Sequence, residues 1–400
     1  MNRFTRQIKS YGEQFVAVVR NEFRTIFTDE GALLVLVFAL LIYATTYSLA
    51  YGSQVLRNVP IGVVDESRTD ASRMLIGTFN AGPNTYVAYD PADMEEAKEL
   101  FFRRKIYGIV YIPSNYEREI LGGSQANVAI YADASYFLMY RQVFQEIVTT
   151  IGATGAMVEF RRLIARGADI PQAQATTQPV IYQSHNLFNP YLGYGSFVMP
   201  AIIMVIIQQT LLIGIGMIGG TWRELGLYSK LCPCNRRRMS TLPIVLGRAT
   251  AYALIYAVTT TYILGLHYKL FHYPDNGTTG TVVAFMAVYL TACIALSLAV
   301  STLFRYRENS LLLLLWTSIP ILMLSGVSFP REGMPGWLYD FGQLFPSSHG
   351  VNGLIRIRTM GASLGEVLPE IKALAILAVI YGGLALIGTH LVIGREMRKE

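Results

Sequence analysis

The sequence predicts an α-helical integral membrane protein with six transmembrane helices and an inserted α/β extracytoplasmic domain. Three observations support this fold class. First, 52% of the 400 residues are hydrophobic and only 15% are charged, where soluble proteins carry about 25% charged residues. Second, six windows are apolar enough to cross a bilayer as helices, which takes about 20 residues each. Third, the interval 52–195 between the first two windows is long enough to form a domain.

The predicted spans are the windows that contain no charged residue or only one. The first transmembrane helix is predicted at 31–51, and transmembrane helices 2–6 are predicted within 196–400. Their apolar windows are 197–218, 242–266, 281–304, 310–327 and 373–393. Only helices and closed barrels satisfy all of their backbone groups in lipid, and windows of this length suit helices.

Arg and Lys residues predict the orientation of these spans. With six spans, four basic segments share one side: the first 30 residues, the loop after the second span, the RYREN segment and the C-terminal tail. The loop between the third and fourth spans has one lysine, Lys269. Because basic residues concentrate in cytoplasmic loops, we predict that both termini are cytoplasmic.

Residues 1–30 form a predicted cytoplasmic amphipathic segment. The segment is too charged, and too long before the first span, to be a cleavable signal peptide. Its pattern predicts a helix along the cytoplasmic surface, and an ordinary basic tail that sets topology is the alternative. Arg20, Glu22 and Arg24 are predicted to lie away from its apolar face. That face is predicted to carry Phe15, Val19, Phe23, Ile26 and Phe27.

Residues 52–195 form the predicted periplasmic α/β domain, because strand and helix patterns alternate along them. IGVVD, TYVAYD, YGIVYIP and NVAIYAD are typical of strands, and a long helical pattern covers 135–166. Asp65-Glu66-Ser67 follows the first strand without a histidine nearby in sequence, so we predict that it caps the next helix. The domain contains no cysteine and therefore no disulfide framework.

The spans offer no energy source for transport. No Asp or Glu lies inside any predicted span, whereas ion-coupled carriers bury ionisable groups there. No G-x-x-x-x-G-K-[ST] phosphate loop occurs, so a pump would need its ATPase on another chain. Gln208 and Gln209 are the most polar pair of the second span, and they either pack against a neighbouring helix or line a path.

The predicted cytoplasmic coupling loop, 219–242, follows the second span. We expect Gly219-Gly220 to break that span, and the next residues to start a short helix across the membrane surface. Those residues are Thr221, Trp222, Arg223, Glu224 and Leu225. Cys232-Pro233-Cys234 has two thiols too few for a zinc site and lacks the C-x-x-C spacing. We therefore predict no metal site, and no catalytic residues.

The segment 325–368, between the fifth and sixth spans, is half apolar and is predicted to re-enter the membrane. Non-helical backbone at membrane depth is tolerated only where protein or a cavity covers it. The segment is either an outer gate or cap, or an interfacial aromatic anchor. Its predicted site residues are Ser325, Gly326, Pro330, Met334, Pro335, Trp337 and Pro346.

These motifs resemble the ABC-2 type permease family, in its exporter branch with a large extracytoplasmic domain between spans one and two. The resemblance covers nearly the full length and includes IGVVDES, KIYGIVYIPSNYEREILGG and GTWRELGLYSKL. The most specific match is LSGVSFPREGMPGWLYDFGQLFPSSHGVNGL. The coupling segment keeps Thr221 and Glu224 of the commoner E-x-x-x-G-T-x-E-x-L form, but its continuation diverges.

The resemblance implies a permease subunit of an ATP-driven exporter in the bacterial inner membrane, moving an amphiphilic or hydrophobic substrate outward. It implies that two permease chains, identical or related, pair with two ABC ATPase subunits. Those partners would use ATP and Mg, so this chain would bind no cofactor. Thr221–Leu225 would form the ATPase-coupling element, and the re-entrant residues would form the outer gate.

The sequence also bears on other partners and on alternative function classes. A periplasmic adaptor fits the external domain, whereas a nucleic acid does not, because the net charge of +6 includes no long basic run. A non-transporting scaffold or receptor with the same architecture stays open as the alternative function. A membrane enzyme is disfavoured, because no nucleophile, base or metal set converges.

Overall fold

The computed structural model of the chain describes residues 3–181, 183–228 and 241–398. The chain divides into two compact units. The helical unit comprises Met1–Gln54 and Asn186–Glu400, and the α/β unit comprises Val55–His185.

The helical unit begins with two helices that one residue separates. Helix α1 is Arg3–Thr28, and helix α2 is Glu30–Ala50 with a π-helical stretch at Leu34–Ala39. Asp29 stands between them and caps α2, because its Oδ1 accepts a hydrogen bond from the Ala32 amide at 2.9 Å. The predicted N-terminal helix is thus confirmed as a helix.

The α/β unit contains a four-stranded sheet in its described part, in the order β2-β1-β3-β4. Strand β1 is parallel to β2 and β3, and β4 is antiparallel to β3. The core between sheet and helices includes Val63, Phe79, Val110 and Val143. The elements are β1 Val59–Asp65, α3 Asp70–Ala81, β2 Thr85–Tyr89, α4 Met94–Phe102, β3 Gly108–Ile112, α5 Tyr116–Gly122, β4 Ala129–Ala132, α6 Phe137–Ala165 and α7 Ile170–Thr177.

Asp65 organises the turn that leads into α3. Its carboxylate accepts hydrogen bonds from the Ser67 amide at 3.0 Å and from the Ser72 hydroxyl at 2.6 Å. The N-cap itself is Thr69, which accepts from the Ser72 amide in a capping box. The prediction that Asp65-Glu66-Ser67 caps this helix was therefore wrong in position: Thr69 is the N-cap, and Asp65 supports the first turn through Ser72.

The remaining helices complete the helical unit. Five helices in the described ranges are long and apolar enough to cross a membrane: α2, α8, α9, α10 and α14. The fifth predicted span, 310–327, coincides with α11, which has 18 residues and carries Arg307 and Glu308 in its first turn, so six spans stay a prediction. The helices are α8 Tyr194–Glu224, α9 Thr241–Leu270 with a π turn at Tyr262–His267, α10 Thr279–Ser301, α11 Arg307–Leu324, α12 Gly336–Gly342, α13 Pro346–Leu354 followed by a π turn at Ile355–Thr359, and α14 Leu368–Glu396.

Helix α8 lies at the centre of the helical unit. Of its most apolar window, 83% is buried, compared with 28% for α2 and for α14. Its glycines allow close contacts: Gly214 faces Leu36, Gly219 faces Ser301, and a Cβ on Gly220 would lie 2.8 Å from the carbonyl oxygen of Tyr306. Small residues at close helix contacts are typical of membrane bundles.

The prediction that Gly219-Gly220 breaks the second span was wrong. Helix α8 continues through both glycines and ends at Glu224, because these glycines serve close packing against α10 and α11 rather than a turn. Residues 221–224 are therefore the last turn of α8 and not a separate surface helix, so the coupling loop begins later than residue 219. Its part 229–240, with Cys232 and Cys234, lies outside the described residues.

Candidate functional site

Helix α8 ends in a glycine cap that fixes its last turn. Gly226 has φ +61°, a conformation that favours glycine. The Leu227 amide donates to the Trp222 carbonyl at 2.8 Å, and the Gly226 amide donates to the Arg223 carbonyl. This hydrogen-bond pattern is a Schellman motif. The cap turns the chain back, and the ring of Tyr228 packs edge-on against Trp222 at a centroid distance of 5.7 Å.

The five predicted coupling residues divide into exposed and structural ones. Glu224 and Leu225 are exposed, Leu225 to 63%. Trp222 is buried. The Arg223 Nη1 donates to the carbonyl of Thr302, beyond the end of α10, at 2.7 Å. Thr221 donates to the Met217 carbonyl within α8. Glu224 and Leu225 are therefore the exposed residues of this helix end.

A buried group of charged and aromatic side chains, which the sequence analysis missed, lies beside Trp222. Arg248 on α9 is 1% exposed. Its Nε donates to Glu22 Oε1 at 3.0 Å, and its Nη1 donates to the Tyr228 hydroxyl at 3.3 Å. Its guanidinium carbon lies 4.9 Å from the centroid of the Trp222 ring, a cation–π distance.

Glu22 completes this group from α1. Its side chain is fully buried and also accepts a hydrogen bond from the Tyr252 hydroxyl. Within the described part of the chain, Glu22 Oε2 and Arg248 Nη2 have no hydrogen-bond partner. The group joins α1, the cap of α8 and α9, and we call it the buried arginine network: Glu22, Trp222, Tyr228, Arg248 and Tyr252.

The predicted position of Glu22 on the polar face of the N-terminal helix was wrong. Glu22 lies in the buried row between Val18 and Ile26, which are 2% and 0% exposed. Phe27, predicted on the apolar face, is 58% exposed. The reason is that α1 packs on α9, where Arg248 supplies a partner for the carboxylate. The available signal was Arg248 itself, because a lone charge inside an apolar window implies a buried partner.

A second ion pair ties the junction of α1 and α2 to the start of α11. The two guanidinium nitrogens Nη1 and Nη2 of Arg307 donate to the two carboxylate oxygens of Asp29, and the Nη2–Oδ1 distance is 2.8 Å. This bidentate geometry is the strong form of an arginine–carboxylate pair. The Arg307 guanidinium holds the pKa of the Asp29 carboxyl below its usual range.

The predicted break after the fifth predicted span is observed. Helix α11 ends at Leu324, the buried Ser325 follows as its C-cap, and Gly326 has φ +87°. Pro330 precedes a short 3₁₀ turn. Arg331, which the sequence analysis missed, donates through Nη2 to the carbonyls of Ser325 and Ser348. It therefore ties the end of α11 to α13.

The prolines of this segment start helices. Pro335 is the N-cap of α12 and Pro346 is the first residue of α13, where a missing amide hydrogen costs no helical hydrogen bond. Met334, just before Pro335, is half-buried, and Trp337 on α12 is 73% exposed.

The two glutamines of α8, Gln208 and Gln209, make different contacts. Gln208 is fully buried, and its Oε1 accepts a hydrogen bond from the Ser347 amide at 2.7 Å. It thereby satisfies an amide at the N-terminus of α13. Gln209 is 7% exposed, and its amide atoms have no hydrogen-bond partner among the residues that the structure describes. Gln208 therefore connects the central helix to the segment after α11.

Comparison with known proteins decides the family. Residues 31–387 match the family model described as ABC-2 family transporter protein. The chain belongs to the ABC-2 transporter family. Permeases of this family are multi-pass membrane proteins that work with ABC ATPases on separate chains. A permease role and a membrane location follow from this membership.

Individual ABC-2 relatives are similar along nearly the whole chain. The Escherichia coli inner membrane transport permease YhhJ is 23% identical over 387 residues, covering 93% of this chain and 96% of YhhJ. The E. coli probable multidrug ABC transporter permease YbhR is 22% identical, covering 92% of this chain and 96% of YbhR. ABC transporter G family member 20 of Dictyostelium discoideum is 23% identical, covering 88% of this chain and 46% of that protein.

Proposed function

We propose that this chain is the permease subunit of an ABC exporter in a bacterial inner membrane, and that Glu224 and Leu225 are its contact with the ATPase. The observation that carries the proposal is the end of α8, where two exposed residues lie on a helix turn that the glycine cap and the buried arginine network hold in place. A rigid contact transmits force without the entropy cost of ordering a loop.

In this proposal, α8 conveys the motion of the ATPase through the helical unit. The helix is continuous over 31 residues, which is about 46 Å at 1.5 Å per residue. The hydrogen bond between Gln208 and Ser347 connects it to α13. A tilt of α8 would therefore move the proposed outer gate, formed by Ser325, Gly326, Pro330, Met334, Pro335, Trp337 and Pro346.

A second permease chain would complete the transporter. Peripheral helices keep large apolar side chains exposed, such as Ile42 on α2 and Trp316 and Ile319 on α11, at 54%, 79% and 67%. Such faces suit lipid or a second copy of the chain. An amphiphilic or hydrophobic substrate would leave between the two copies, with the α/β unit outside the cytoplasm, where a periplasmic adaptor could bind it. Both termini would be cytoplasmic, and the ATPase would use ATP and Mg.

The first experiment purifies the tagged chain from its native membrane and tests for a stoichiometric ATPase with vanadate-sensitive activity. In parallel, Glu224→Lys is expected to lower the amount of co-purified ATPase about tenfold, which corresponds to ~1.4 kcal/mol. Glu332→Lys is the matched control. It also reverses an exposed charge, but Glu332 lies after the C-terminal end of α11, whereas the end of α8 packs near the N-terminal end of α11.

Either of two results would overturn the proposal. Reproducible absence of any ATPase in several detergents would favour the scaffold or receptor. Equal losses for Glu224→Lys and Glu332→Lys would remove Glu224 from the ATPase contact and leave the permease role intact.

A further inference from the structure

A groove runs between α9 and α10 on the half of these helices that is remote from Glu224. Its cavity volume is about 370 Å³, within the range of about 300–1,000 Å³ that ligand pockets occupy. Its walls are apolar, and small residues keep it open: a Cβ on Gly265, in the π turn of α9, would have no neighbouring atom within 4 Å. The apolar lining includes Ala257, Leu264, Val282, Met286 and Leu290.

One end of the groove is charged. Arg358 is 5% exposed, forms an ion pair with Asp275 and donates to the Leu264 carbonyl. Its guanidinium carbon lies 4.5 Å from the centroid of the Tyr268 ring. Its Nε is buried and has no hydrogen-bond partner within the described ranges. Burying a donor of a charged group without a partner is costly, and Arg358 lines the groove, so an anionic acceptor that reached this nitrogen from the groove would be favourable.

Lys269 adds a second positive charge at the same end of the groove. Its side chain is exposed and forms no ion pair with any residue that the structure describes. With Arg358 and Asp275 as the other charged residues of the lining, the groove carries a net charge of +1. An occupant with a negative head and an apolar tail matches both ends of the groove.

The length of the groove matches one leaflet of a bilayer. From Ala257 to Lys269 the helix rises by about 18 Å at 1.5 Å per residue. The hydrocarbon core of a bilayer is about 30 Å thick, so one leaflet contributes about 15 Å. A chain lying in this groove would therefore place its head near Lys269 and Arg358, which would then lie at the level of the lipid headgroups.

We propose that this groove binds one acyl chain of an anionic phospholipid from the surrounding bilayer, with the phosphate at Lys269 and at the Nε of Arg358. A bilayer phospholipid is favoured over the exported substrate because the length of the groove is close to the thickness of one leaflet. The proposal rests on the membrane location of α9 and α10 and not on the ATPase contact, so either can fail without the other.

The test uses the full chain in phosphatidylcholine nanodiscs that contain a photoactivatable phosphatidylglycerol with its reactive group on the acyl chain. After illumination and proteolysis, mass spectrometry maps the adducts. We expect adducts concentrated on the groove-lining stretches 257–265 and 279–290. Lys269→Gln should lower the yield of phosphatidylglycerol adducts about fivefold, as one basic residue near an anionic headgroup contributes ~1 kcal/mol. The yield of adducts from a photoactivatable phosphatidylcholine should be unchanged in this variant.

Two further variants separate the groove from the general lipid surface. Gly265→Leu adds a side chain to the groove lining at a position where a Cβ has no neighbouring atom within 4 Å, and it should reduce adducts from both lipids. The controls are Lys372→Gln, an exposed lysine near the start of α14 that does not line the groove, and Gly382→Leu, a glycine of α14 with no neighbouring atom within 4 Å. Both controls should leave the groove adducts unchanged. Adducts spread evenly over all apolar helices, or groove adducts insensitive to Lys269→Gln and Gly265→Leu, would overturn the proposal.

Discussion

Arg248 shows how a single residue fixes the packing around the C-terminal end of α8. A charged side chain that is 1% exposed needs a partner, and Glu22 provides it from a helix more than 200 positions earlier in the chain. Removing one partner of a buried pair leaves an uncompensated charge, which usually costs more than the pair itself contributes. The buried arginine network therefore makes the packing of α1 against α9 specific.

Replacing Arg248 alone is expected to destabilise the chain strongly. Arg248→Met leaves the buried Glu22 carboxylate without its cation, at a cost of ~3–5 kcal/mol. The double variant Glu22→Gln with Arg248→Met should be clearly more stable than Arg248→Met alone, because no unpaired charge remains. Fluorescence-detected size exclusion after heating measures this, with the exposed Arg305→Met as control. Equal melting temperatures for the single and double variants would contradict the network.

The ion pair of Asp29 with Arg307, at the junction of α1 and α2, should make the stability of the chain depend on pH. Its pKa is lowered by Arg307 from an ordinary value near 3.8. The ion pair therefore contributes its full stabilisation above about pH 4, and this contribution is lost as the pH falls through the lowered pKa. Asp29→Asn keeps a capping side chain but loses the charge, so it should melt below the wild type at pH 7 and approach the wild type at an acidic pH below the lowered pKa. Asp340→Asn, at an exposed position, should melt at the wild-type temperature at both pH values. If the melting temperature of Asp29→Asn lay equally far below that of the wild type at both pH values, the ionic explanation would be excluded.

Helix α8 depends on glycines for its contacts rather than for flexibility. Gly219 and Gly220 bring its last turns against Ser301 and against the backbone at Tyr306 and Arg307. A backbone neighbour cannot move aside as the end of a flexible side chain can. The α8–α11 contact at this level therefore requires a residue without a Cβ.

Gly220→Ala is expected to disturb the α8–α11 contact. The new Cβ would lie 2.8 Å from a carbonyl oxygen, and such overpacking typically costs ~1–3 kcal/mol. Gly382→Ala, in open space on α14, should be neutral or slightly stabilising, because alanine favours helix more than glycine does. Thermal unfolding in detergent compares the two. A Gly220→Ala protein as stable as Gly382→Ala would show that α8 and α11 are not held this closely.

The whole molecule consists of two units of different architecture on one chain. Within the helical unit, hydrogen bonds join the two chain segments that flank the α/β unit. The Tyr194 amide donates to the Gln54 carbonyl at 2.7 Å, and the Ser196 amide donates to Gln54 Oε1 at 2.9 Å. These contacts hold the end of α2 beside the start of α8 without any residue of the α/β unit. The helical unit is therefore expected to fold without it.

Replacing Val55–His185 by a short Gly/Ser linker tests this expectation. We expect the shortened chain to purify as a single species and to retain its ATPase, since Glu224 and Leu225, the proposed ATPase contact, lie in the helical unit. The α/β unit produced alone should unfold cooperatively, because it has its own core. Loss of the helical unit on deletion would contradict independent folding. Retained export would remove the α/β unit from the substrate path.

The sequence by itself determined the features that depend on local composition and periodicity. Five of the six predicted apolar windows coincide with helices that are candidate spans in the described ranges, and strand–helix alternation predicted the elements of the α/β unit. The break at Ser325 and Gly326 was also predictable, because serine and glycine are favourable where a helix ends. The family resemblance was confirmed by the match over residues 31–387.

Only the tertiary structure decided the features that depend on residues far apart in the chain. It placed Glu22 against Arg248, Arg331 against Ser325 and Ser348, and Gln208 against Ser347. It also decided that Gly219-Gly220 continues α8, because a glycine pair permits either a break or a close helix contact and the neighbouring helix selects between them. Hydrophobic periodicity reports which face of a segment is buried, but not which partner satisfies a buried charge.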